Sequence, residues 1–227
     1  MMLQTVPTLC FEKYRSKPNL ENTTCRLCQK GVENIQHLLN SCEHFLKSLY
    51  FKRHDKILRY IYFNILTKYG VKSTCPPWYS HEKVKPLYEN DKICLYWDIP
   101  EYLGYDDEVE SKVLRPDGKL ILKQQSKMFI LEMSVPWITN REKKMEEKVN
   151  KYKDLLASLR ILHPNFEIEQ ITFIVDSLGG YSKSLVDALE TLEFGSLDVP
   201  KMLLCIQKIV LTESRYIINR FKQLAHA

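Results

Sequence analysis

Apolar positions along this 227-residue chain change their period several times, and each change marks a different element. Over residues 34–50, Ile35, Leu38, Leu39, Cys42, Phe45, Leu46 and Leu49 recur at the three-to-four step that lines one helix face. A second helical stripe runs from Arg53 to Tyr69 through Ile57, Leu58, Ile61, Tyr62, Ile65, Leu66 and Tyr69. Gly70 then offers a natural stop, because glycine closes a helix without a Cβ clash. Pro76, Pro77 and Pro86 make residues 73–90 a connecting loop. The period then shortens. Ile93–Ile99, Lys119–Lys123 and Met128–Val135 read as strands, the last two joined by the polar residues 124–127 as a hairpin. Residues 141–160 form a charged amphipathic helix with Met145, Val149, Tyr152, Leu155, Leu156 and Leu159 inward. Glu169–Asp176 is a strand rich in β-branched residues, ended by Gly179-Gly180. Helices over about 182–193 and 199–224 complete the chain, and residues 1–20, weakly periodic, are expected to be a linker or frayed arm.

The order helix, three strands, helix, strand, helices predicts an α/β (α+β) domain, a small mixed sheet flanked by helices. The strand after the 141–160 helix most simply returns by a crossover connection. Length allows one sizeable core with a small satellite module. A chain that is 44% hydrophobic with only seven glycines has a globular composition. No run approaches the ~20 apolar residues that span a bilayer, and the opening residues lack the pattern of a signal peptide. An intracellular protein without a membrane partner is therefore expected.

Charge changes the picture modestly. The net charge of +5 is unevenly placed. Lys47, Lys52, Arg53, Lys56, Arg59, Lys68 and Lys72 crowd residues 43–72, while ten carboxylates against five Lys or Arg occupy residues 81–117. A basic stretch beside an acidic one suits a protein that holds a phosphate backbone near a metal-binding carboxylate cluster. Taken alone, the charge pattern favours an ordinary solvated surface.

Four constellations carry candidate chemistry. Cys25-x2-Cys28-x8-His37-x4-Cys42 has the spacing of a zinc site, two thiolates on one turn and two ligands closing from a helix. The seven cysteines are odd in number and unevenly spread, which fits a metal site plus buried thiols better than a disulfide framework. Four protein ligands leave no open position, so such a site is structural. His44 is a possible substitute ligand. Second, Asp117 of Arg115-Pro116-Asp117 begins one strand, and Glu132 lies within the apolar run of the next. Antiparallel pairing would bring both to one face, where two carboxylates can hold Mg²⁺ for phosphodiester hydrolysis. The plainer alternative is a Pro-Asp turn and a solvent-facing Glu132. Third, Lys148 and Lys151 share a helix face and could reach a phosphate or a reacting water, or simply be solvated. Fourth, Arg53-His54-Asp55 opens the basic helix, to bind a phosphate, to add a carboxylate to the metal site, or simply to cap the helix, with Asp55 meeting the helix dipole.

Together, Cys25-Arg26-Leu27-Cys28 with Gln36-His37-Leu38-Leu39-Asn40-Ser41-Cys42, Arg53-His54-Asp55, Tyr96-Trp97-Asp98, Arg115-Pro116-Asp117, Glu132-x2-Val135-Pro136, Glu147-Lys148-x2-Lys151-Tyr152 and Ser177-Leu178-Gly179-Gly180 resemble, in this order, one family. It is the C-terminal region of non-LTR retrotransposon polyproteins, a Cys-Cys-His-Cys knuckle followed by a restriction-like endonuclease, here without the polymerase. The resemblance covers about Cys25 to Leu224. It implies a PD-(D/E)xK nuclease fold and three parts: an arm over 1–24, the knuckle with its helix over 25–50, and the endonuclease domain over 51–227. It further implies a nuclear protein that nicks DNA, with element RNA a possible second partner. Asp117 and Glu132 would bind catalytic Mg²⁺ or Mn²⁺, with Lys148 or Lys151 as the catalytic lysine. Cys25, Cys28, His37 and Cys42 would bind structural zinc. Arg53, His54, Lys56, Arg59 and Arg115 would contact nucleic acid. Two positions depart from the family pattern. Glu132 stands where Asp is usual, and Ser134 stands where the strand lysine usually sits, a lysine the family often moves to the next helix. The same sequence also admits a catalytically silent nucleic-acid-binding remnant, or a module whose knuckle binds protein.

Overall fold

The computed structural model describes residues 6–103 and 112–225. Asp106, Asp107, Glu108 and Glu110 of the acidic stretch lie outside the described residues, as do the first five residues of the expected arm. Within that arm a short helix forms, α1 (Leu9–Arg15), whose N-cap Thr8 side chain accepts from the Phe11 N–H.

The helix expected over 34–50 is split. Asn34 caps α2 (Ile35–Asn40) by accepting from the His37 N–H. The chain then breaks, because the His37 carbonyl accepts from both Ser41 and Cys42 N–H groups and Cys42 turns to the extended region. A single turn, α3 (Glu43–Phe45), leads into a π-helical turn, Leu46–Tyr50, and that turn runs without interruption into α4 (Phe51–Lys68). The break expected near residue 52 is therefore absent. It falls instead at Cys42. A π turn shifts the register of the helix face after it, a device common near functional sites.

The strands are β1 (Leu87–Glu89), β2 (Ile93–Trp97), β3 (Glu101–Leu103), β4 (Lys112–Leu114), β5 (Gly118–Leu122), β6 (Lys127–Ser134) and β7 (Glu167–Ile174). Between and after the last two come α5 (Arg141–Leu162), α6 (Lys183–Thr191) and α7 (Asp198–Ala225). Five strands make one mixed sheet in the order β1-β2-β5-β6-β7, antiparallel except for the β6–β7 pair. Helix α5 is the crossover that joins β6 to β7, as the pattern predicts. Strands β3 and β4 pair apart from this sheet. The short β1, next to Pro86, adds an edge to the segment expected to be only loop.

Helices cover both faces. Phe129, Leu131 and Met133 of β6 face a core shared with α4, α6 and α7. Met128 and Ile130 face Tyr152, Leu155 and Leu159 of α5. Burial on both sides explains why β6 reads as one apolar run. The Cys/His segment has its own apolar patch, where Leu38, Leu39 and Phe45 pack on Ile217, Ile218 and Phe221 of α7. No helix among the described residues is long and apolar enough to cross a membrane.

Candidate functional site

The thiol and imidazole groups of Cys25, Cys28, His37 and Cys42 converge, their ligand atoms all within 4.8 Å of one another. Cys25 Sγ lies 3.9 Å from Cys42 Sγ, and Cys28 Sγ lies 3.2 Å from His37 Nε2. A tetrahedron with Zn–S near 2.3 Å has sulfurs ~3.8 Å apart, so the set fits zinc. Burial pushes the Cys25 and Cys42 thiols above their ordinary range. Thiolates at those positions therefore need a positive ion to hold them. Nδ1 of His37 meets Ser41 Oγ at 3.3 Å, which leaves Nε2 for the metal. His44 lies outside the cluster, edge-on to Phe45.

Two supports fix this cluster. The buried Glu33 carboxylate accepts from the Leu9 and Arg26 N–H groups and pairs with the Arg26 guanidinium, which lies over the Phe221 ring. Gly31 has φ +65°, and a Cβ there would sit 2.9 Å from His37 Nδ1. Gly31→Ala should cost about 1–2 kcal/mol from the left-handed backbone alone. It should also loosen zinc, read as earlier metal loss in a chelator titration. Unchanged chelator resistance would show that the glycine is incidental.

The second site is a cleft of about 390 Å³ lined by Phe51 and His54 of α4, Asp117, Glu132 of β6, and Lys148 and Lys151 of α5. Four segments of the chain thus deliver the predicted groups to one place. Asp117 precedes β5, and its backbone is pinned: its carbonyl accepts from the Asp98 N–H and from the Tyr62 hydroxyl. Gly118 makes that possible, since a Cβ there would overlap the Tyr62 oxygen at 1.3 Å. One carboxyl oxygen of Asp117 accepts from the Met133 N–H at 2.7 Å and meets His54 Nε2 at 3.1 Å. Burial works to raise the Asp117 pKa, but His54 and the Met133 N–H outweigh it and hold it below the usual range.

Glu132 is 1% exposed on the α5 side of β6. Its Oε1 accepts from Lys148 Nζ, while Oε2 is buried with no hydrogen-bond partner. Such an orphaned acceptor is costly. Lys151 behaves differently. Its ammonium donates to the Tyr152 hydroxyl at 2.6 Å, and that hydroxyl donates to the Arg115 carbonyl.

His54 has a carboxylate on each ring nitrogen, Asp55 at 3.0 Å and Asp117 at 3.1 Å. Burial opposes its charge, but these two contacts outweigh burial and raise its pKa to about 10. With the folded value above the ordinary 6.5, the stabilisation is complete below pH 6.5 and is lost as pH rises through 10. The melting deficit of His54→Gln should accordingly be large at pH 6 and shrink at pH 10. An equal deficit at both would remove the imidazolium from the account.

The remaining cations expected to meet nucleic acid are mostly spent internally. Arg53 is 2% exposed and donates to the Leu39 carbonyl and Ser214 Oγ, so it ties α2 to α7 and does not face a phosphate. Lys56 pairs with the buried Glu213, and Arg59 donates to the Ser80 carbonyl. The stripe of cations that looks continuous in sequence therefore does not present a continuous phosphate track, because helix α4 is wrapped on several sides. Arg115 is exposed and pairs with Asp98. Sequence reasoning missed Gly118, Tyr62 and Tyr152 as positioning groups. Only the Gly after Pro-Asp offered a signal, and its meaning depends on a tyrosine 56 positions away.

No protein-family model matches this chain, and no curated protein matches it at a significant level.

Proposed function

We propose that the protein is a metal-dependent DNA endonuclease of the PD-(D/E)xK kind, carried by a zinc-stabilised unit like that of a non-LTR retrotransposon. The observation that supports this reading is the cleft in which Asp117, Glu132 and Lys148 meet, with Glu132 Oε2 left unpartnered. Asp117 and Glu132 would hold Mg²⁺ or Mn²⁺. The bound cation supplies charge against the phosphate and acidifies a water molecule. The Met133 N–H and His54 fix the Asp117 carboxyl, so its free oxygen points in one direction. Lys148 reaches the cleft from α5 in place of a lysine at Ser134. Its ammonium can shift from Glu132 to a scissile phosphate oxygen, where it would stabilise negative charge. The geometry favours Lys148 over Lys151 for this role, because Lys151 is turned onto Tyr152. Tyr152 in turn fixes the backbone at Arg115, two residues before Asp117.

The test is nicking of supercoiled plasmid. Wild-type protein should nick with Mg²⁺ or Mn²⁺, and Asp117→Ala should reduce nicking by a factor of a hundred or more, the scale of losing an electrostatic group at the reacting centre. Cutting that survives the substitution would end this assignment. One observation favours a second reading, a silent nucleic-acid-binding remnant. His54 and Lys148 already neutralise both carboxylates, as in a site that stands without metal. That reading expects folded, zinc-loaded protein that binds DNA and leaves plasmid intact.

A further inference from the structure

A second cleft of about 540 Å³ lies beside the first and shares Phe51 with it. Its lining includes Lys52, His81, Lys83 and Trp97, with Lys56 and Arg59 at the helix side. Phe51 is 59% exposed, a high value for a phenylalanine between two clefts. Lys52 and Lys83 are exposed, and neither has an ion-pair partner among the described residues; Lys52 Nζ rests on the Tyr216 ring at 4.9 Å. Asp55 also lines this cleft, but its carboxylate is engaged by His54 at 3.0 Å. The π turn that ends at Tyr50 sets the helix face on which Phe51 and His54 stand, so both clefts are aimed by one backbone feature.

We propose that this second cleft takes the nucleotide next to the scissile phosphate, with its base stacked on Phe51 and its phosphate held by Lys52 and Lys83. This rests on the nuclease reading above. An exposed ring flanked by cations that have no carboxylate partner is the chemistry that holds single-stranded nucleic acid, since every base has a face to stack and every linkage carries a charge. A base inside a duplex is already stacked on both sides and offers no face to Phe51. The substrate class is therefore DNA with an unpaired base beside the cut, such as a flap, a gap or a frayed junction.

Binding is the readout, measured by fluorescence anisotropy with the full chain, in Ca²⁺ to prevent cutting. Two labelled probes of one sequence are compared, a fully paired duplex and the same duplex carrying a short single-stranded flap. Wild-type protein should favour the flapped probe by on the order of tenfold, the scale of one base–aromatic stack. Phe51→Ala should abolish that preference and Phe51→Trp should keep it. Lys52→Ala with Lys83→Ala should weaken both probes alike and flatten the salt dependence. A preference that survives Phe51→Ala, or wild-type binding that does not distinguish the probes, overturns the proposal. The nuclease reading fails separately, if Asp117→Ala nicks plasmid like wild type. A Phe51-dependent flap preference in a protein that never nicks would leave this cleft assigned and the nuclease reading refuted. Circular dichroism melting of Phe51→Ala is expected to match wild type, since the ring is mostly exposed.

Discussion

Stripping zinc with a tight chelator should unfold the segment from Cys25 to about Tyr50 and lower the melting temperature of the whole chain. The reason is that its own apolar core is small. Its apolar contribution is a handful of side chains, Leu38, Leu39 and Phe45 with Cys25 and Cys42, packed on one end of α7. Binding of structural zinc is worth about 10–16 kcal/mol in isolated zinc-finger peptides, whereas a whole domain is stable by only about 5–15 kcal/mol. Loss of the ion also leaves two thiols that burial keeps protonated in place of four ordered ligands. Purified protein should contain one zinc per chain, and Cys28→Ser should lower that content. Freshly purified, folded protein with no zinc, and a melting curve unchanged by chelator, would end the zinc assignment.

Lys148→Met should be the most damaging single change in the cleft. It leaves Glu132, 1% exposed, without the ammonium that neutralises it. Breaking a buried pair from one side costs about 3–5 kcal/mol, because the remaining charge is stranded. Lys148 itself is partly exposed, so the lower end of that range is expected. Two rescues separate the causes. Glu132→Gln on the same background should restore much of the loss by removing the charge. Millimolar Mg²⁺ or Mn²⁺ should restore part of it by replacing the ammonium, raising the melting temperature of Lys148→Met more than that of wild type. A Lys148→Met protein that melts like wild type would show the pair to be superficial. One that loses stability and ignores divalent ions would argue against a metal at Glu132.

Much of the architecture was legible in the sequence, for a physical reason. The helices α4, α5 and α7 and the strands β5 and β7 each bury a face against a sheet or helix, and burial imposes a period, whereas β6, buried on both sides, shows an unbroken apolar run. Strand β1 was illegible because three edge residues beside a proline have no period to show. The break at Cys42 was illegible because Cys42 and Phe45 are both buried and extend the apolar pattern straight through it. What ends the helix is the His37 carbonyl taking two donors, a backbone event with no composition. At the cleft, Glu132 could be selected because a carboxylate in an apolar run needs a reason, and Asp117 only through the Arg-Pro-Asp pattern before a strand. Their partners could not, since the contact of His54 with Asp117 spans 63 positions. The charge count misled most at α4. Counting Arg53, Lys56 and Arg59 says nothing about Leu39, Glu213 or Ser80, which consume them.

The unbroken passage from the π turn into α4 bears on how the two parts depend on each other. A boundary between residues 50 and 51 would cut one continuous helix and bare Ile217, Ile218 and Phe221 of α7. Asn40, at the end of α2, donates to the Val135 carbonyl just past β6 and accepts from Ser177 just past β7. The two parts are thus halves of one solid rather than beads on a string. A change that disturbs α2 would therefore be felt at the ends of β6 and β7, beside the cleft.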